Sequence, residues 1–120
     1  MRRQHASQVD HPLQAHQSFR AVIAATPLVA DVARESRQSA LVGRLALAAG
    51  DLATGFAAPV GSTSQRDAHY RAWVTVRELD RSLTAIRISK RVSVKLIKQA
   101  QRAIDRADIF IGALPGVSVA

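Results

Sequence analysis

The amino-acid sequence predicts an all-α chain folded as an up-down antiparallel four-helix bundle. Helix breakers are few and well spaced, at Pro12, Pro27, the Pro59-Val60-Gly61-Ser62 cluster and Pro115-Gly116, and long helices fit between them. Apolar residues between the breakers recur at steps of three and four, the period of a helix with one buried face. Ala, Leu, Val and Arg dominate, while Phe19, Phe56, Tyr70, Trp73 and Phe110 are the whole aromatic complement. That composition favours helix.

The first helix is carried by Phe19, Val22, Val29 and Val32, which share a face across Pro27. This pattern reads as one helix over about 13–35, kinked at Pro27, with a turn at Ser36-Arg37-Gln38-Ser39. A rival reading makes Thr26 an N-cap and Pro27 the first residue of a long second helix. The kink is preferred because it yields four helices of about 21–25 residues, about 31–38 Å each, and matched lengths pack antiparallel without overhang. Leu41, Leu45, Ala48, Leu52 and Phe56 line the second helix, which stops at the Pro59 cluster. Gly50 and Gly55 inside it each cost about 1 kcal/mol relative to Ala, which implies a close helix crossing or a tight contact between subunits. Ser64-Gln65-Arg66-Asp67 resembles a capping box for the third helix, whose apolar face is Val76, Leu79, Leu83 and Ile86. The fourth follows from Leu96, Ala100, Ala103, Ala107, Phe110, Ile111 and Leu114, and ends at Pro115-Gly116. Residues 1–120 form a single domain in this reading, with 1–10 disordered.

Charge bounds the function. The 120 residues carry 17 Lys+Arg against 9 Asp+Glu, a net charge of +8, and 48% are hydrophobic, which separates the chain from a disordered basic tail. Cysteine is absent, which excludes disulfides, thiol catalysis and Cys-based zinc sites. No apolar segment follows Arg2 and Arg3, and the apolar stretch 45–60 contains Asp51 and falls short of the roughly 18 residues of a membrane span. A soluble, cytoplasmic protein with no membrane partner is expected.

The most informative pattern lies near the C-terminus. Arg91, Lys95, Lys98, Arg102 and Arg106 follow steps of four, three, four and four, so on one helix they fall within about 80° of each other. Ala100, Ala103, Ile104, Ala107 and Ile111 centre on the opposite side, which turns the basic stripe away from the core. Arg87 and Lys90 extend it, and no acidic residue occurs over 87–104. Like charges at i,i+4 repel by a few tenths of a kcal/mol per pair, a cost that fits a polyanionic partner, RNA or DNA. Aromatics are too scarce for stacking platforms, so binding would be directed at phosphates with low sequence specificity. The plainer alternative is a solvated face in an Arg-rich, Lys-poor chain.

On the third helix, Tyr70, Trp73 and Val74 lie about 100° from the Leu79, Leu83 and Ile86 stripe, so a single bundle does not easily bury both sets. With Arg77 and Arg81 they are candidates for a homo-oligomer interface, the alternative being that they flank the core. Nothing points to catalysis. His5, His11, His16 and His69 lack the i,i+4 pairing of a helical metal site, and no nucleophile elbow surrounds Ser62 or Ser64. Asp51, Glu78, Asp80, Asp105 and Asp108 are scattered among arginines that would hold them ionised. No Walker or dinucleotide fingerprint surrounds the glycines. No catalytic residue, metal or cofactor is expected.

The run Asp51-Leu52-Ala53-Thr54-Gly55-Phe56 resembles the Asn-Ile-Ala-Glu-Gly-Phe signature of the bacterial four-helix-bundle proteins encoded within intervening sequences of large-subunit ribosomal RNA genes, whose fold the retroelement accessory variability proteins share. Residues 40–49 are similar to the Ala-rich lead-in of that signature. Trp73 to Leu83 resembles the family's Leu-x-x-Ala-x-Gly-Ser-Leu-x-Glu-Leu segment, with Val76 at the Ala position and Leu83 at the last Leu. Asp51, Thr54 and the pair Glu78-Leu79 depart from the pattern. The resemblance implies a left-handed up-down bundle without catalytic activity that assembles as a homo-oligomeric ring, typically a pentamer. It implies a basic ring surface that engages nucleic acid and a protein partner. The expected function is therefore a non-enzymatic homo-oligomer that binds RNA or DNA non-specifically through Arg87, Lys90, Arg91, Lys95, Lys98, Arg102 and Arg106. The alternative is a protein-protein interaction scaffold whose basic residues serve oligomer or partner contacts.

Overall fold

In the computed structural model the backbone is described for residues 2–117 and the side chains for residues 12–117. The described chain is helical, with α1 at Arg2–Ser36, α2 at Ala40–Ala57, α3 at Thr63–Ser89 and α4 at Val94–Gly112. Connections at 37–39, 58–62 and 90–93 are short, which forces consecutive helices to run antiparallel. Helix α1 packs on α2 and α4, and α3 packs on the same two, so α2 and α4 occupy opposite corners of a four-helix bundle.

The core follows most of the apolar stripes read from the sequence, but Phe19 is exposed, Leu96, Ala103 and Phe110 are only half-buried, and Ala25 and Ile97 join it. Val22, Ala25, Val29 and Val32 of α1 are buried against Leu41, Leu45, Ala48 and Leu52 of α2, Val76, Leu79, Leu83 and Ile86 of α3, and Ile97, Ala100, Ile104, Ala107 and Ile111 of α4. Each of the larger side chains contributes about 1.5–3 kcal/mol by leaving water.

Several expectations are corrected. Helix α1 runs from Arg2 to Ser36 through both Pro12 and Pro27, which agrees with the preferred single helix across Pro27 and not with its rival, but it begins at Arg2 and takes in the 2–10 stretch expected to lie outside it. Pro27 and Ile23 sit on the exposed side, where the carbonyl deprived of its amide donor faces water and the loss is small. The helices measure 35, 18, 27 and 19 residues, not four matched lengths. At its end α1 closes through Arg37, whose φ of 58° lets the Gln38 amide donate to the Ala33 carbonyl at 2.9 Å, a Schellman closure built without glycine.

Phe56 is 57% exposed and is not the last core residue of α2. Gly55 takes that place because the space beside it is filled from across the bundle. A Cβ on Gly55 would lie 2.6 Å from Cδ2 of buried His69. Gly50, by contrast, has nothing within 4 Å of the place a Cβ would take, and makes no close crossing in this chain.

The cap of α3 is Ser62, two residues before the expected Ser64. Its hydroxyl accepts from the Gln65 amide at 3.1 Å, while Gln65 Oε1 accepts from the Gly61 amide at 2.9 Å, a variant of the capping box. Buried Gln65 also donates from Nε2 to the Gly55 carbonyl at 3.1 Å. His69 Nδ1 lies 2.8 Å from the Pro115 carbonyl, and because a carbonyl only accepts, the proton sits on Nδ1. Gly116, at φ 92°, lets the chain cross α3 so closely that a Cβ would stand 2.6 Å from Arg66 Cα. One end of the bundle is thereby latched, with the α2 terminus, the α3 cap and the segment after α4 joined through two buried polar side chains.

Helix α2 is, by length and composition, apolar enough to cross a membrane, where the sequence reading found no such stretch. Its charged side chains are turned to α3, with Arg44 donating to Ser82 Oγ at 3.2 Å and Asp51 accepting from Arg71 at 3.4 Å. Its outer side, around Gly43, Leu47 and Gly50, carries no charge.

These contrasts give opposite signs for two like substitutions. Gly55→Ala should lower stability by about 1–3 kcal/mol through overpacking against His69, while Gly50→Ala should raise it by about 0.5–1 kcal/mol through reduced chain entropy. Urea unfolding of the two variants checks both, and equal effects would contradict the packing described.

Candidate nucleic-acid interface

The orientation of α4 is set by its buried face. Ile97, Ala100, Ile104, Ala107 and Ile111 are fully buried, so Lys95, Lys98, Arg102 and Arg106 stand exposed on the other side. The helix starts at Ser93, whose hydroxyl accepts from the Leu96 amide at 3.4 Å. The basic face is not one helix, as the sequence spacing suggested. Arg91 lies in the α3–α4 connection, Lys90 caps α3 in the left-handed conformation at φ 58°, and Arg87 belongs to the last turn of α3. Two helix ends therefore meet in the basic cluster with opposite electrostatics. Arg87 and Lys90 compensate the negative end of α3, whereas Lys95 sits in the first turn of α4, which holds no acidic residue, and adds to a positive end.

Among the described residues the ion pairs are Arg34 with Asp31, Arg71 with Asp51 at 3.4 Å and Arg77 with Asp108 at 3.8 Å. None involves Arg87, Lys90, Arg91, Lys95, Lys98, Arg102 or Arg106. Arg87 instead donates to Gln101 Oε1 at 3.4 Å, and Gln101 donates onward to Thr84 Oγ1 at 3.1 Å. Arg106 lies over the Phe110 ring, 5.9 Å from its centroid.

The two flanks of α4 differ. Toward α3, Asp80, Asp105 and Asp108 converge with Arg77 and Arg81 around a cleft of about 230 Å³. A more open neighbouring cleft sets Arg87, Lys98 and Arg102 beside Asp80 and Asp105. The expectation of scattered carboxylates is corrected here, because Asp80, Asp105 and Asp108 line one cleft. Burial, followed by repulsion from Asp105 and Asp108, raises the Asp80 carboxyl above its ordinary value, and Arg77 only partly opposes this. No group of three or more His, Asp or Glu among the described residues is arranged to hold a metal ion. Toward α1, a groove of about 690 Å³ is lined by Arg20, Arg102 and Arg106, with no carboxylate among its described lining residues. Arg20 was absent from the sequence-derived site, because only the packing of α1 on α4 brings it to the basic face.

The aromatic cluster on α3 is partly absorbed by the bundle. Trp73 is half-buried and packs against the core, so one bundle accommodates it together with the Leu79 and Leu83 stripe. Arg77 covers its ring at 4.8 Å, and Tyr70 lies 5.8 Å away, tilted by 46°. Tyr70 is 50% exposed, Val74 is half-buried and Arg81 is exposed. This surface remains the part of α3 with the largest exposed aromatic.

Asp80 gives the site a pH signature. An acid whose folded pKa is raised weakens folding wherever it is ionised, and that penalty disappears as the pH falls below the unfolded value near about 3.9. Asp80→Asn should therefore raise the melting temperature at pH 7, with the gain shrinking as the pH falls toward about 3. Calorimetry across that range checks it, and a constant or inverted difference would contradict the assigned cause.

No protein-family model, curated protein or solved structure matches this chain.

Proposed function

We propose that this protein is a non-enzymatic four-helix bundle that assembles as a homo-oligomer, in the form of a pentameric ring, and binds RNA or DNA non-specifically in the cytoplasm. Phosphates are held by Arg87, Lys90, Arg91, Lys95, Lys98, Arg102 and Arg106, and no cofactor takes part. One observation carries this reading: these exposed cations converge on one face with no carboxylate in ion-pair reach among the described residues. Isolated solvated faces usually interleave both signs, and an unbalanced one attracts a polyanion and releases its counterions. The likeness of 51–56 and 73–83 to the ribosomal intervening-sequence and retroelement accessory proteins supports the ring and the nucleic-acid partner. Tyr70, Trp73, Val74, Arg77 and Arg81 supply the subunit contact.

A second reading, a scaffold for a protein partner, draws on Arg77 and Arg81. They stand beside an exposed Tyr70, and such a mixture is enriched at protein interfaces.

Seven phosphate contacts give a log–log salt slope of about −6 on a mixed-sequence duplex. Fluorescence anisotropy should return that slope for the wild type and lose it in a variant combining Lys95→Glu, Lys98→Glu and Arg102→Glu. Light scattering of the same variant should show the assembly intact. Dissociation of the assembly, or unchanged duplex affinity, would overturn the proposal.

A further inference from the structure

The α1–α4 groove differs in kind from the rest of the basic face. Arg20 reaches it from α1, and Arg102 and Arg106 enter from α4 one turn apart. Such i,i+4 neighbours stand about 5–6 Å apart at Cβ. Between the cations the floor is apolar, formed by Ala21, Ala24 and Leu28 on one wall and Ala103 and Phe110 on the other. The groove runs along the helices over 17–28 of α1 and 102–110 of α4, about 12–16 Å at 1.5 Å per residue. Its elongated shape suits an extended ligand. Adjacent helix axes lie about 8–10 Å apart, so the furrow between them is too narrow for a duplex, which would rest on its rims.

We infer that this groove is a binding site for one strand of nucleic acid, adjoining the convex ridge that carries a duplex and sharing Arg102 and Arg106 with it. Arg20, Arg102 and Arg106 hold phosphates along it, and a base or sugar settles on the apolar floor of Ala21, Ala24, Leu28 and Ala103. Single-strand sites track the backbone with a positively charged groove, and here the cations line an apolar furrow in which Arg106 also lies over the Phe110 ring. The opposite flank offers no equal, since its clefts hold Asp80, Asp105 and Asp108, which repel phosphate. The inference rests on the nucleic-acid reading above but adds a residue on α1, a strand path and a preference for single strands at this place.

The test uses the full chain, a fluorescein-labelled oligothymidylate and a mixed-sequence blunt duplex. Arg20→Ala removes one groove cation. Ala24→Trp fills the groove from an exposed helix position without changing charge. One phosphate contact on a single strand carries a log–log slope of about 0.7, so Arg20→Ala should weaken oligothymidylate binding about fivefold at about 0.1 M salt. Ala24→Trp should weaken it at least as much. Duplex affinity should stay within twofold for both variants. Circular dichroism melts confirm that both stay folded. Equal effects on both polymers, or none on the single strand, would overturn the inference while leaving the wild-type duplex affinity to support the proposed function. Failure of the wild type to bind either polymer would overturn both.

Discussion

Burial of Ile97, Ala100, Ile104, Ala107 and Ile111 fixes the rotation of α4 about its axis, and the basic face depends on that constraint. The residues occupy one side of the helix, and each would expose apolar surface if the helix turned. Rotation by even a quarter turn would trade fully buried Ile side chains, worth about 1.5–3 kcal/mol each, for the solvation of lysines and arginines that cannot be buried unpaired. The core thus holds the cations outward although they repel each other. Charge that is unfavourable locally is stabilised by packing on the other side of the same helix.

The opposite corner of the bundle shows the reverse arrangement. Helix α2 turns Arg44 and Asp51 toward polar partners on α3 and leaves its outer side neutral. Diagonal placement of α2 and α4 gives the molecule one cationic and one uncharged corner. Acidic side chains are concentrated on the α3 side of α4, where Asp80 is destabilised in its charged form by burial and by its neighbours. The anion-attracting surface is accordingly bounded on one side by aspartates and open on the side of α1. At the latched end, Gln65 and His69 satisfy backbone carbonyls of Gly55 and Pro115. Buried polar contacts of this kind fix the relative heights of the helices, since a shift of one turn would break them.

The sequence made the helices legible because their information is local. Steps of three and four place Leu79 and Leu83, or Ile104 and Ile111, on one face without reference to any other segment. What it did not reveal depends on partners distant along the chain. Whether α2 ends its buried stripe with Gly55 or Phe56 is decided by the His69 ring, which only the α2–α3 register brings there. Local rules leave Pro27 either inside one helix or at the start of a second, and the packing of Val22, Ala25, Val29 and Val32 across it decides for one helix. Ser62 and Ser64 are equally good caps in isolation, and the Gly61 amide and Gln65 decide between them. The cations of the basic face were readable from their spacing. The convergence of Asp80 with Asp105 and Asp108, and the arrival of Arg20 beside Arg106, were not, because both depend on how neighbouring helices sit against α4.

The central claim is that the outward face of α4 and the connection before it form the surface that meets phosphate. Amide hydrogen exchange of the protein with and without a saturating mixed-sequence duplex tests this most directly. The account expects slowed exchange in the connection at 90–93 and the first turns of α4, with α2 unchanged. Protection confined to α2 or to the Tyr70 side of α3 would contradict it.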